Sequence, residues 1–253
     1  MDSKSPYDDP ERLREPRVSG LANLRDLGGH ETVGGPTRWR RALRSDGLHE
    51  LDPDGLAALR ALGIATVIDL RSAREVEVQP NPCATDPAFD YVNVPLFEKL
   101  SPIDIDASRD DFDLSQRYVE ALDTCQSRFA GVFRTIAAAG EGAVLVHCTA
   151  GKDRTGLVAA MWLLLAGATQ EAVVADYLAT ERQGRPLLEK LKARNLARSR
   201  LPEEVVAAFY LCEARMIMTF INHLTARGGA ARYLARCGLG QADLEHVRRH
   251  LAG

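Results

Sequence analysis

Cys148 and Arg154 stand six positions apart in the stretch Ala143-Val144-Leu145-Val146-His147-Cys148-Thr149-Ala150-Gly151-Lys152-Asp153-Arg154-Thr155-Gly156. That spacing suits covalent chemistry on an oxyanion. The apolar, β-branched run Ala143 to Val146 predicts a buried strand. Leu157 to Ala168 is apolar nearly all round and contains Gly167, which predicts a buried helix closed by a glycine cap. Between strand end and helix start, the backbone N–H groups of Thr149, Ala150, Gly151, Lys152, Asp153 and Arg154 can converge on one point and bind a tetrahedral anion, a phosphate above all. The Arg154 guanidinium adds a planar fork that matches two oxygens. The same positive field favours Cys148 as a thiolate, so the cradle prepares its own nucleophile.

The flanking residues read as supports. His147 is expected to orient the loop through backbone hydrogen bonds, and the Thr155 hydroxyl to steady the sulfur as it departs from phosphorus. A buried core cysteine would account for Cys148 alone, as it does for Cys83, Cys125, Cys212 and Cys237. It would not account for Arg154, a helix start and Thr155 beside it. Lys152 adds positive charge that is expected at the rim.

The elements that must position this loop can be read in order. Residues 1–18 are rich in Asp, Glu, Arg, Lys and Pro and predict a mobile tail before a single domain over residues 19–253. Leu21 to Gly29 reads as an irregular β-loop, in which Arg25 and Asp26 are expected to form a supporting ion pair rather than to act in catalysis. A strand follows at Trp39 to Arg44. Asp52 and Pro53 mark a helix start, with Leu56, Leu59 and Leu62 on its buried face and Gly63 at its end. Ile64 to Leu70 is a second apolar strand, with Asp69 and Arg71 at the carboxyl end where ligands of open α/β sheets bind. Tyr91 to Leu96 reads as a further strand. Glu98 to Asp113 is an acidic loop, and a segment of this length has room to act as a lid. One helical segment spans Gln116 to Ala138, and a short helix runs from Thr169 to Leu178. Glu181 to Arg200 reads as an exposed amphipathic helix or lid, Pro202 to Leu224 as one long helix, and Leu244, Val247 and Leu251 as one face of the last helix. Strand and helix alternate, so the expected fold is α/β: a central, mainly parallel sheet flanked by helices, with helical lid elements.

Composition excludes several classes. A formal net charge of -3 gives no general attraction to nucleic acid or anionic membrane, so any pull on phosphate is local. Five cysteines without a C-x-x-C pair suit a reducing compartment. The polar N-terminus lacks the apolar core of a secretory signal, which makes the cytoplasm the default location, with export by a route needing no such signal as the alternative. The longest apolar stretch is too short to span a bilayer.

The His-Cys-x5-Arg-Thr pattern from His147 to Thr155 resembles the nucleophile loop of cysteine-dependent protein tyrosine phosphatases, and its Ala150-Gly151-Lys152-Asp153-Arg154-Thr155-Gly156 form is similar to the atypical bacterial members. Asn23-Leu24-Arg25-Asp26-Leu27-Gly28-Gly29, Thr66-Val67-Ile68-Asp69-Leu70-Arg71-Ser72 and the last helix after Gly240 extend the resemblance over roughly the whole chain after residue 18. It implies a phosphatase with a cysteine-phosphatase-like fold that needs no metal or cofactor. Its partners would be phosphorylated proteins or phospholipid headgroups. Asp153 is then the first candidate for the acid that protonates the leaving group, Asp69 the second, and an acidic residue between Asp104 and Asp113 the third. Two alternatives stand beside phosphotyrosine hydrolysis: a phosphoinositide or inositol phosphate phosphatase, and a phosphate-binding module without turnover. A second lysine, found in the phosphoinositide enzymes where this chain has Thr149, is missing.

Overall fold

The computed structural model describes residues 14–97 and 113–252. Five strands form one sheet: β1 (Arg25–Asp26), β2 (Ala42–Ser45), β3 (Ile64–Asp69), β4 (Asp90–Asn93) and β5 (Ala143–His147), in the order β1-β2-β5-β3-β4. β1 runs antiparallel to β2, and the other pairings are parallel. β5, the strand that leads to Cys148, is thus central, with β2 and β3 on its two sides. Every residue of β5 is buried, as a parallel strand covered on both faces requires.

Alternation along the strands divides the core in two. Val144, Val146, Ile68 and Ala42 face a large helical layer. It is built from α3 (Leu114–Thr124), α4 (Gln126–Ala138), α5 (Asp153–Ala166), α6 (Gln170–Gln183), α9 (Ala214–Ala226), α10 (Gly229–Arg236) and α11 (Gln241–Leu251). Leu43, Leu145 and Val67 face a smaller core that holds Leu59 of α1 (Pro53–Ala61). The remaining helices are α2 (Ala73–Val78), α7 (Arg185–Leu196) and α8 (Glu203–Ala208). α5 is the hub. Twelve of its residues are buried, and it ends where Gly167 takes φ +93°, the left-handed cap expected of that glycine.

Several elements differ from the sequence reading. The segment expected as one helix over Gln116 to Ala138 is two helices that meet at Cys125, where no proline or glycine marks the break. The long helix expected from Pro202 is also two, α8 and α9, and the chain between them turns the carbonyls of Phe209 and Leu211 toward the Lys152 ammonium. α6 runs on to Gln183, past Leu178. The part of the N-terminal tail that is described is packed: Val18 is buried, and Glu15 pairs with Arg182. The tail over residues 1–13 and the acidic-loop expectation over residues 98–112 lie outside the described residues. Among those described, no helix is long and apolar enough to cross a membrane.

Candidate active site

β5 delivers Cys148 to the carboxyl edge of the sheet, and α5 begins five residues later at Asp153. Between them every carbonyl from Cys148 to Lys152 is held by a donor. His147 Nδ1 lies 3.1 Å from the Cys148 oxygen. Gly47 N–H donates to Thr149 at 3.1 Å, and Asn23 Nδ2 to Ala150 at 3.0 Å. Arg44 Nη2 donates to Gly151 at 2.6 Å, and Gly156 N–H to Lys152 at 2.8 Å. In a trans peptide the N–H points opposite to the C=O, so holding these five oxygens on the protein side turns the N–H groups of residues 149–153 the other way. None of those five has an acceptor among the described residues. An anion cradle is the physical result. Gly151 permits it: its φ is +66°, and a Cβ there would stand 2.6 Å from the Ser45 oxygen.

Beneath the loop lies a buried charge network. Asp176 on α6 receives Arg25 Nε at 2.8 Å and also pairs with Arg44, with all three side chains no more than 4% exposed. Burial pushes the Asp176 carboxyl up, but Arg25 and Arg44 outweigh it and hold the pKa below the ordinary carboxylate range. Arg25 is thus in a supporting ion pair, with Asp176 rather than with Asp26. Asp26 accepts from the N–H groups of Gly28 and Arg40, each at 2.7 Å, and burial pushes its carboxyl up to about 6.

Arg154 stands at the mouth. Glu75, from the first turn of α2, receives its Nη1 at 2.6 Å and Nη2 at 2.8 Å, and Glu75 also accepts from the Thr149 hydroxyl. The open end of the fork is therefore held by a carboxylate of the protein. Nη2 reaches Thr149 Oγ1 only at 3.3 Å, which leaves that hydrogen and Nε–H for an incoming anion. Burial works against the Arg154 charge, but the Glu75 hydrogen bonds and the neighbouring Cys148 sulfur outweigh it, and its pKa is raised above the usual guanidinium value. Glu75 is drawn down to about 2, where the Arg154 contact overcomes the cost of burial. Cys148 itself is 2% exposed, at the floor of this arrangement. The Thr155 hydroxyl is buried and has no hydrogen-bond partner among the described residues, so it is available to a group that arrives with substrate. A groove of about 320 Å³ opens beside Thr149, walled on its far side by Pro186, Leu187 and Lys190 of α7.

One expectation requires correction, and a second candidate lies in a setting the sequence did not suggest. Lys152 is not at the rim: it is fully buried, and its ammonium reaches the carbonyls of Phe209 at 2.6 Å and Leu211 at 2.8 Å and the Asp153 carboxylate at 3.2 Å. Three donors meet three acceptors, so the charge is committed to joining the loop to the chain after α8. Asp69 lies at the end of β3 with no exposed surface. It takes Arg71 Nη2 at 2.7 Å and Tyr91 Oη at 3.0 Å, with His147 Nε2 at 3.4 Å. Burial raises its pKa, yet His147 and Arg71 more than reverse this and hold it far below the ordinary value. A carboxylate so enclosed and so strongly kept charged is a poor proton donor and a good strut. Asp153 differs: its side chain is 21% exposed, and Tyr118 and Lys152 both donate to Oδ1. Of the acidic-loop candidates only Asp113 is described; it caps α3 and faces Arg215.

Glu75, Arg44, Asp176 and Tyr118 went unnoticed in the sequence. One signal existed for Glu75, since Ser72-x-x-Glu75 has the spacing of a helix capping box, and that box is formed. The box explains why the glutamate is near the loop edge, though not that it meets Arg154.

A family model described as the tyrosine phosphatase family matches residues 16–253. A triple specificity protein phosphatase of Mycobacterium tuberculosis is 31% identical over 93% of this chain and 98% of its own length. A tyrosine-protein phosphatase of Nostoc commune is 43% identical over 51% of this chain, and the match spans 44% of that protein. A solved structure of TpbA from P. aeruginosa in complex with phosphotyrosine is a more distant likeness, with a TM-score of 0.38 and 19% identity over 67% of this chain and 80% of that one. The chain belongs to the tyrosine phosphatase family and is an enzyme of that family.

Proposed function

We propose that this protein hydrolyses phosphotyrosine, and phosphoserine or phosphothreonine as well, through a cysteinyl-phosphate intermediate. The observation that carries the reading is the set of five loop carbonyls tied outward, which turns the N–H groups of residues 149–153 toward one anion above Cys148. The Cys148 thiolate attacks phosphorus, the P–O bond to the leaving group breaks, and Asp153 gives its proton to the departing oxygen. Water then attacks phosphorus, Asp153 takes a proton from it, and the S–P bond breaks to return the thiolate and inorganic phosphate. The loop amides and Arg154 stabilise charge on the transferring group, at about 3 kcal/mol for one well-placed donor. Thr155 offers its hydroxyl to the departing sulfur. Asp69 acts through His147 and Arg71 as a positioning group.

Cys148 and Arg154 are both in place, which favours turnover over a passive phosphate-binding module. A phosphoinositide reading would draw on a lysine beside the substrate, and Lys152 is committed elsewhere. The name of the M. tuberculosis relative favours a breadth of phosphoester substrates over phosphotyrosine alone. The deciding experiment compares phosphotyrosine, phosphothreonine and phosphoinositide hydrolysis by the native protein and by Cys148→Ser. The variant is expected to bind phosphate and turn over nothing; turnover at the native rate would end the covalent mechanism.

A further inference from the structure

Asp153 is held in an asymmetric way that the proposed chemistry has not used. Tyr118, on α3, is fully buried, and its hydroxyl donates to Asp153 Oδ1. The Lys152 ammonium lies 3.2 Å from the same oxygen. No donor among the described residues reaches Oδ2. Behind Tyr118, the Tyr177 hydroxyl of α6 stands 2.9 Å away, and the two rings meet edge to face at 6.4 Å. A phenol has one proton, and that of Tyr118 is committed to the carboxylate, so within this pair Tyr177 is the donor, with Met216 Sδ at 3.7 Å the weaker acceptor for the same hydrogen. The hydrogen bonds therefore run one way, from Tyr177 to Tyr118 to Asp153, and each strengthens the next in a buried setting. Burial, with Asp153 beside it, raises the pKa of Tyr118 well above the ordinary phenol value, so the donor keeps its proton over the working range of the enzyme.

We propose that Tyr118 is a positioning residue for the general acid: by occupying Asp153 Oδ1 together with Lys152, it makes Oδ2 the oxygen that carries the catalytic proton to the leaving group. This rests on Asp153 being that acid. A proton on Oδ1 would face two donors at once, whereas a proton on Oδ2 leaves both hydrogen bonds intact. The carboxyl plane is fixed as well, because Oδ1 is tied to α3 through Tyr118 and to the chain after α8 through Lys152. In the first step the Oδ2–H bond breaks and the leaving oxygen takes the proton as the P–O bond opens. In the second, Oδ2 recovers a proton from the attacking water. Tyr118 keeps its own hydrogen throughout and touches no reacting atom.

Leaving-group dependence separates this role from a structural one. Loss of a correctly aimed acid should slow esters with poor leaving groups and spare aryl esters whose phenolate departs unaided. We expect Tyr118→Phe to lower kcat/KM for a phosphothreonine peptide about tenfold, and for 4-nitrophenyl phosphate less than twofold, a gap set by misaimed proton transfer. Tyr177→Phe, which cuts the chain one link earlier, should show the same selectivity at about threefold, and it serves in place of Tyr118→Phe if that variant fails to fold. Asp153→Asn is the reference, with a loss on the phosphothreonine peptide of about a hundredfold or more. If Asp153→Asn slows both substrates equally, Asp153 is not the acid, and the inference falls with it. If Asp153→Asn is selective while the tyrosine variants lose both activities in equal proportion, or lose neither, the acid stands and the positioning role of Tyr118 is refuted.

Discussion

Two arginine–carboxylate pairs hold the loop after Cys148, and they differ in what surrounds them. Arg44 and Asp176 expose 1% and 4% of their side chains, and Arg44 passes its grip on to the Gly151 carbonyl. Arg154 and Glu75 expose 10% and 32% and sit at the open side of the loop. Enclosed charges cannot change partners without a large penalty, so the first pair is a fixture that sets where the loop carbonyls point. A pair that touches solvent can give up part of its hydrogen bonding to a ligand, so the second can hold Arg154 in place and still share it with phosphate. The same two residue types thus build the cradle at one site and present its cation at the other.

That contrast can be broken most forcefully at Asp176. Asp176→Asn strips the countercharge from Arg25 and Arg44, and removal of one partner from a buried pair costs about 3–5 kcal/mol. Urea denaturation should show a loss of that order, whereas a loss under about 1 kcal/mol would mean that water reaches the two guanidinium groups. Gly151→Ala comes next. Its positive φ and the 2.6 Å approach to Ser45 make a methyl group costly, by about 1–3 kcal/mol, and phosphate turnover should fall with the loop geometry. A variant with native activity would show that the loop can bend without losing the cradle.

Glu75→Gln sharpens the comparison from the other side. The amide keeps the shape but supplies a single acceptor, so kcat/KM should drop about tenfold through a less constrained Arg154, while stability should fall by less than at the more enclosed Asp176 pair. Equal damage to stability and activity would make the two arginine pairs alike after all. Acid provides the smallest effect and fixes its sign. Glu75 has a folded pKa of about 2, below its ordinary 4.5, so its contribution is complete above about pH 4.5 and disappears as the pH falls through 2. Native protein should therefore lose urea resistance across that window, and Glu75→Gln should lose less. Identical slopes for the two proteins would remove Glu75 from the linkage.

The loop itself was legible because its parts are contiguous. A strand end, a cysteine, five residues and a helix start occupy one short piece of chain, and local geometry decides most of what they can do. The groups that tune it were not legible, since Arg44, Glu75 and Tyr118 arrive from 107, 79 and 35 residues away along the chain. Charged residues scattered at such distances look like any solvated surface. Lys152 shows the limit within the loop: its neighbours in sequence suggested the rim, but the break between α8 and α9 turns two carbonyls toward its ammonium. The helix break at Cys125 likewise carries no local signal.

By itself the order of residues determined the candidate nucleophile, the arginine six positions on and the glycine that lets the backbone turn, because each acts through bonds and dihedrals within a few positions. Tertiary structure alone decided which carboxylates stay enclosed and which meet solvent at the loop, since the cost of a charge depends on how much water surrounds it, and that is settled only when distant segments pack together.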